Sequence, residues 1–92
     1  MSDLAATAVP SLLPGVRLHH DRQRARWVLL APERVVELDD IALTVLQRCD
    51  GDRTLERIAS ELAAEFDAPP QEIWRDVCEL LQDLCDKRML KV

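Results

Sequence analysis

Ninety-two residues, 48% of them apolar and 32% charged, point to one soluble globular domain with no room for a second. The formal net charge of −5, from 17 acidic and 12 basic residues, argues against nucleic acid as the main partner, because phosphate binding draws its affinity from clustered Lys and Arg. No apolar run approaches the roughly 20 residues that span a bilayer. Residues 1–16 lack the basic n-region of a signal peptide, so a cytoplasmic location without membrane attachment is expected.

Residues 1–14, rich in Ala, Ser, Leu and Pro, read as a flexible arm that Pro14 and Gly15 close off, leaving 15–92 as the folded domain. Leu12 and Leu13 offer that arm a means of docking. Apolar and polar residues alternate from Val16 to His20, DRQR forms a turn, and Ala25–Leu30 and Arg34–Leu38 complete a three-stranded meander. Pro32 marks the second turn and cannot lie in a central ladder. The third strand runs straight into a helix start, which makes Arg34–Leu38 a sheet edge.

Helical signals follow. Asp39 or Asp40 caps a helix carrying Ile41, Leu43, Val45, Leu46 and Cys49, which Asp50 and Gly51 terminate. Thr54 caps a second, with Leu55, Ile58, Ala59, Leu62 and Phe66 at helical spacing. DAPP at 67–70 breaks the chain, and Pro70 suits the first turn of a third helix running to about Lys87. Leu90 and Val92 suggest a short extended end. With Trp27, Phe66 and Trp74 as the only aromatics, the core must be mainly Leu, Val, Ile and Ala, which favours helices with a small sheet over an all-β fold. The expected class is α+β: a winged-helix-like, three-stranded antiparallel sheet followed by a three-helix bundle.

On the third helix, Leu80, Ile73, Leu84, Val77 and Leu81 span an arc of about 100° at 3.6 residues per turn. Trp74, Cys85 and Cys78 widen that arc beyond what packing on one layer requires. Either the helix is central and covered on both flanks, or the margin of Trp74, Cys78, Leu81 and Cys85 lines a groove or an oligomer interface.

Little supports catalysis. Cys49, Cys78 and Cys85 lack metal-ligand spacing and read as small core hydrophobes. His19 and His20 are consecutive on a strand and point to opposite faces. Two glycines, Gly15 and Gly51, cannot build a phosphate loop, and Asp39 with Asp40 is explained by the helix cap. No enzyme activity, cofactor or metal is expected. The basic stretch Arg17, His19, His20, Arg22, Arg24 and Arg26 reads as a solvated hairpin.

Two binding functions remain. LERIASELAAEF (55–66), a short break and another helix resemble a helix-turn-helix, so one alternative is a winged-helix DNA-binding regulator with 70–88 in the major groove. That helix carries Glu72, Asp76, Glu79, Asp83 and Asp86 against Arg75, Lys87 and Arg88, and its exposed face would repel phosphates. The other is a clamp in which an extended peptide adds to the edge Arg34–Leu38 and drops side chains beside Trp74. Four or five backbone hydrogen bonds at about 1 kcal/mol and two or three apolar anchors at about 2 kcal/mol each give roughly 8–11 kcal/mol. Association costs at least about 4 kcal/mol of that, so the grip is micromolar or weaker and releasable.

The runs GVRLHHD (15–21), RWVLLAPERVVELD (26–39), CDGDRTLERIASELAAEFDAP (49–69) and IWRDVCELLQDL (73–84) closely resemble the PqqD family of pyrroloquinoline quinone (PQQ) biosynthesis. The LLAPE, DG-x-x-T and I-x-x-DV elements stand in that family's order and spacing. The resemblance implies a RiPP recognition element, a peptide chaperone that binds the precursor peptide PqqA and presents it to the radical SAM enzyme PqqE, which joins glutamate and tyrosine side chains. It further implies a peptide held between the third strand and the third helix. The expected site is Arg34, Val35, Val36, Glu37 and Leu38, with Val35–Glu37 offering backbone groups, and Trp74, Val77, Cys78 and Leu81 as the apolar wall. The open edge also allows a homodimer without peptide. Arg17, Arg22, Arg24 and Arg26 are candidates for contact with PqqE.

Overall fold

The computed structural model describes residues 4–92, so residues 1–3 of the expected arm lie outside those described. The rest of that stretch is tied down. Strand β1 (Ser11–Leu12) pairs antiparallel with β5 (Leu90–Lys91) at the opposite end of the chain. Upstream of it, the carbonyls of Ala6 and Ala8 accept from the backbone N–H groups of Glu56 and Leu55 at 3.0 and 2.7 Å, and that of Pro10 accepts from Gly51 at 3.2 Å. The physical reason is that the first N–H groups of a helix have no partner within it, and here chain carbonyls satisfy them. Pro10 is fully buried and Leu12 packs on the core. Gly51 adopts φ +82° with Ser11 close by, a turn that favours a residue lacking Cβ.

The meander is β2 (Arg17–Asp21), β3 (Arg26–Ala31) and β4 (Arg34–Glu37), in the order β2-β3-β4, within one or two residues of the expected bounds. Asp21 Oδ1 accepts from Gln23 and Arg24 N–H across the first turn. The sheet turns Leu18, Leu29 and Val36, which are in register, toward the core. Among the described residues, both outer strands have an open edge.

Three helices complete the α+β fold: α1 (Asp40–Gln47), α2 (Leu55–Phe66) and α3 (Pro70–Asp86). Asp39 caps α1 by accepting from Ala42 N–H, Thr54 caps α2 through Arg57 N–H, and Pro70 opens α3. Asp67 ends α2 with φ 49°, the left-handed conformation that Asp tolerates better than most residues. Arg48, at the end of α1, reaches α2 through Glu61 at 3.1 Å and Glu65 at 3.0 Å. Glu61 also accepts from Arg57, and the surrounding guanidinium groups hold its carboxyl below the usual range.

The core joins Leu29 of the sheet, Val45 and Leu46 of α1, Leu55, Ile58 and Leu62 of α2, and Ile73, Val77, Leu81 and Leu84 of α3. Met89 and Leu90 close it from below. Removing residues 1–12 deletes the β1–β5 pair, three further backbone bonds and the buried Pro10. This truncation should destabilise the domain by about 3–5 kcal/mol, counting roughly 1 kcal/mol per lost bond. Thermal unfolding would show the midpoint falling by ~10–20 °C, and an unchanged midpoint would mean the stretch contributes nothing.

Candidate functional site

The ladder fixes which backbone groups β4 offers to a ligand. Leu38 N–H donates to Trp27 O at 3.1 Å, which continues the β3–β4 register of Val28 with Glu37, Leu29 with Val36, and Ala31 with Arg34. Hydrogen-bonded pairs alternate in an antiparallel ladder. Leu38, Val36 and Arg34 therefore spend their N–H and C=O groups on β3, while those of Val35 and Glu37 point out from the sheet edge. Of the three backbones expected to be offered, that of Val36 is committed to the ladder.

The side chains alternate the other way. Val36 and Leu38 pack toward the core and the helices. Val35 is 61% exposed on the outer face, where Glu37 pairs with Arg26 at 2.7 Å and Arg24 at 3.8 Å. Two cations of the basic hairpin are thus partly neutralised, and Arg17 and Arg22 carry no ion pair among the described residues.

On α3 the structure separates the expected wall into different surroundings. Val77 and Leu81 are 2% and 0% exposed and belong to the core. Trp74 turns toward α2, where it borders a groove of about 580 Å³ floored by Ala59, Ala63, Ala64 and Ala68. Cys78 lies on the same margin, partly buried. The opposite flank meets the sheet: Lys87 shares a cavity of about 540 Å³ with Val16, Pro32, Arg34 and Met89. At 3.6 residues per turn, Trp74 and Lys87 stand about 140° apart around α3. Leu80, partly buried against the core, lies within about 20° of Lys87. Asp76, Leu80, Asp83 and Lys87 share one flank of α3, whose Lys87 end adjoins Arg34 of β4 and is held to Asp83 at 2.9 Å. Leu80 was visible in the sequence as part of the core stripe, but nothing there showed which edge of the stripe faced the strand.

Among the described residues the three cysteines form no disulfide, and no cluster of His, Cys, Asp or Glu is suited to a metal. Burial pushes the Cys49 thiol from 9.0 up to about 12, with Asp50 and Cys85 adding to the effect, and raises Cys85 as well. Among the described residues no helix is long and apolar enough to cross a membrane.

A small antiparallel sheet with an unpaired outer strand alongside the last of three helices is the fold of a RiPP recognition element. The solution structure of the PqqD truncation of Methylobacterium extorquens PqqCD, described as a functional and stand-alone element of this kind, superposes with a TM-score of 0.82 at 43% identity, covering 96% of this chain and 94% of that one. Lasso peptide synthetase B1, in complex with its leader peptide, shares the fold with a TM-score of 0.78 at 22% identity, over 92% of this chain and 100% of the other. The family described as Coenzyme PQQ synthesis protein D (PqqD) matches residues 26–90. A PqqA binding protein of Xanthomonas euvesicatoria pv. vesicatoria is 61% identical over the full length of both chains. The chain belongs to the PqqD family.

The thiol environment is testable. At pH 8 a thiol reagent should leave Cys49 unmodified in the native protein and modify it on unfolding. The folded state holds this proton more tightly than the unfolded chain, so stability is intact below the ordinary value of 9.0 and falls as pH rises toward about 12. Prompt labelling of native Cys49, or stability rising over that window, would contradict the burial described.

Proposed function

We propose that this chain is a peptide chaperone of PQQ biosynthesis: it binds the precursor peptide PqqA along β4 and presents it to the radical SAM enzyme PqqE. The single observation that carries the reading is the outward pair of backbone groups on Val35 and Glu37, on an edge strand that leads directly into α1 and has β3 as its one strand partner among the described residues. A peptide strand placed there adds to the sheet. Its inward side chains fall on Val36 and Leu38 from one side and Leu80 from the other, a half-buried apolar floor that keeps its anchors out of water. Kinship with a PqqA binding protein and with structures of RiPP recognition elements supports PqqA as the guest.

Within this reading Arg34 stands where the strand meets the end of α3, beside Lys87 and Arg88. Trp74, Val77, Cys78 and Leu81 support α3 from its core and its α2 side. The bond-forming chemistry belongs to PqqE, and this chain's contribution is to hold an otherwise flexible peptide extended. A hold of a few backbone bonds and two or three anchors is weak enough to release the product.

Strand parity gives the test. Val35→Pro removes an outward N–H without costing a ladder bond, and edge strands tolerate proline. It should weaken PqqA binding at least tenfold by calorimetry while the domain stays folded, whereas Val36→Pro should unfold the β3–β4 hairpin. Leu80→Ala should weaken PqqA by about 1 kcal/mol, roughly fivefold. Unchanged affinity in folded Val35→Pro and Leu80→Ala variants would remove the peptide from this groove.

A further inference from the structure

One end of the β4 edge opens into the cavity of about 540 Å³ where the β3–β4 turn meets the end of α3. Val16, Pro32 and Met89 give it apolar walls, yet three cations line it as well: Arg34, Lys87 and Arg88. Glu33 is the one carboxylate among the lining residues and pairs with none of them, so the cavity is net positive on a chain whose formal net charge is −5. Lys87 is held by Asp83 at 2.9 Å, whereas Arg34 and Arg88 make no ion pair among the described residues. Beyond the other end of β4, Arg24 and Arg26 are already matched by Glu37 at 3.8 and 2.7 Å.

The dipole of α3 favours cations near its C-terminus, which accounts for Lys87. It does not account for Arg88. The helix ends in a Schellman motif: Met89 N–H donates to Leu84 O at 2.9 Å and Arg88 N–H to Cys85 O at 3.0 Å, with Arg88 in the left-handed conformation at φ 60°. Glycine ordinarily fills that position, because a Cβ is disfavoured there. The last carbonyls are satisfied by backbone groups, so the fold makes no use of the guanidinium that the chain places beside the cavity.

We propose that this cavity is a carboxylate subsite of the peptide groove, in which Arg34 and Arg88 hold an acidic side chain of the guest. The inference rests on the peptide reading above and adds a sequence requirement to it. Arg34 has the same strand parity as Val36 and Leu38, and a strand added to β4 turns the side chains opposite these three to the same face. In an antiparallel addition they are the close pairs, with Cα atoms about 4.5 Å apart. Two of the three positions meet apolar side chains and the third meets the cations. The groove therefore selects apolar residues at two alternate positions and Asp or Glu at the next. A slip of two residues would set the acid against Val36, so the same charge fixes the register. Guanidinium groups grip a carboxylate through paired hydrogen bonds, and the apolar walls suit the methylene stem that carries it.

Calorimetry on the full-length chain tests the subsite. Arg88→Gly suits the left-handed backbone and should leave the thermal midpoint unchanged or raise it, and Arg34→Gln keeps every ladder bond. Each should weaken PqqA at least about threefold, and the two together at least about tenfold. Arg75→Gln, the same loss of charge at an exposed position on α3, should stay within about twofold. PqqA peptides with each Asp or Glu in turn replaced by its amide then locate the acid: one of them should bind the unaltered chain weakly and lose nothing further on Arg88→Gly. Arginine variants that bind PqqA as Arg75→Gln does would overturn the subsite, as would equal losses on Arg88→Gly with every peptide. Coupling to amidation of the peptide's C-terminus alone would put the chain end in the cavity and overturn the register. Val35→Pro separates these failures from failure of the peptide reading. If it weakens PqqA while both arginine variants bind normally, the subsite alone falls; if it binds PqqA undiminished, the peptide does not lie on β4 and both fall.

Discussion

The stripe of Ile73, Val77, Leu81 and Leu84 commits α3 to the centre of the domain, and the surfaces of the domain take their positions from it. These side chains pack at once against Leu29 of the sheet, against Leu55, Ile58 and Leu62 of α2, and against Met89 and Leu90 at the chain's end. Each of the four, at 8% exposure or less, would cost about 2–5 kcal/mol to truncate to a smaller residue. A helix held so firmly through the middle of its apolar arc has two flanks left over. One carries Leu80 and ends at Lys87, which shares a cavity with Arg34 of β4, and the other borders α2 through Trp74.

The sheet adds an asymmetry of its own. Because β4 is four residues long and passes directly through the Asp39 cap into α1, the chain has no length in which to cover that edge. The ladder to β3 then divides the strand: Arg34, Val36 and Leu38 bind inward, and Val35 and Glu37 face out. An unsatisfied edge of this kind is a liability in most proteins; in the proposed reading it is where a peptide adds as one more strand. The chain's membership of the PqqD family is what directs that proposal to a peptide.

Much of this was legible in the sequence. Alternation marked the meander, and Asp39, Thr54 and Pro70 marked three helix starts to within a residue, because caps and proline act locally. The β1–β5 pair was not legible: two-residue strands have no periodicity, and Ala8, Pro10 and Leu12 resemble a tail until Leu55 and Leu90 are brought beside them. The helical wheel showed that the apolar arc of α3 was too wide for one layer. It could not show which flank faced which neighbour, so Trp74 and Cys78 were expected at the strand and Leu80 was not. Strand parity was hidden for the same reason, since it is fixed by the long-range bond from Leu38 to Trp27.

The most direct measurement is an amide-resolved NMR titration of the isotope-labelled chain with PqqA, with duplex DNA as the control. Saturable shifts concentrated on residues 34–38 and on the 76–87 flank of α3, largest at the outward amides of Val35 and Glu37, with residues 59–64 of α2 unmoved, are the predicted result. No response to PqqA, or shifts centred on residues 70–88 with DNA instead, would contradict the account.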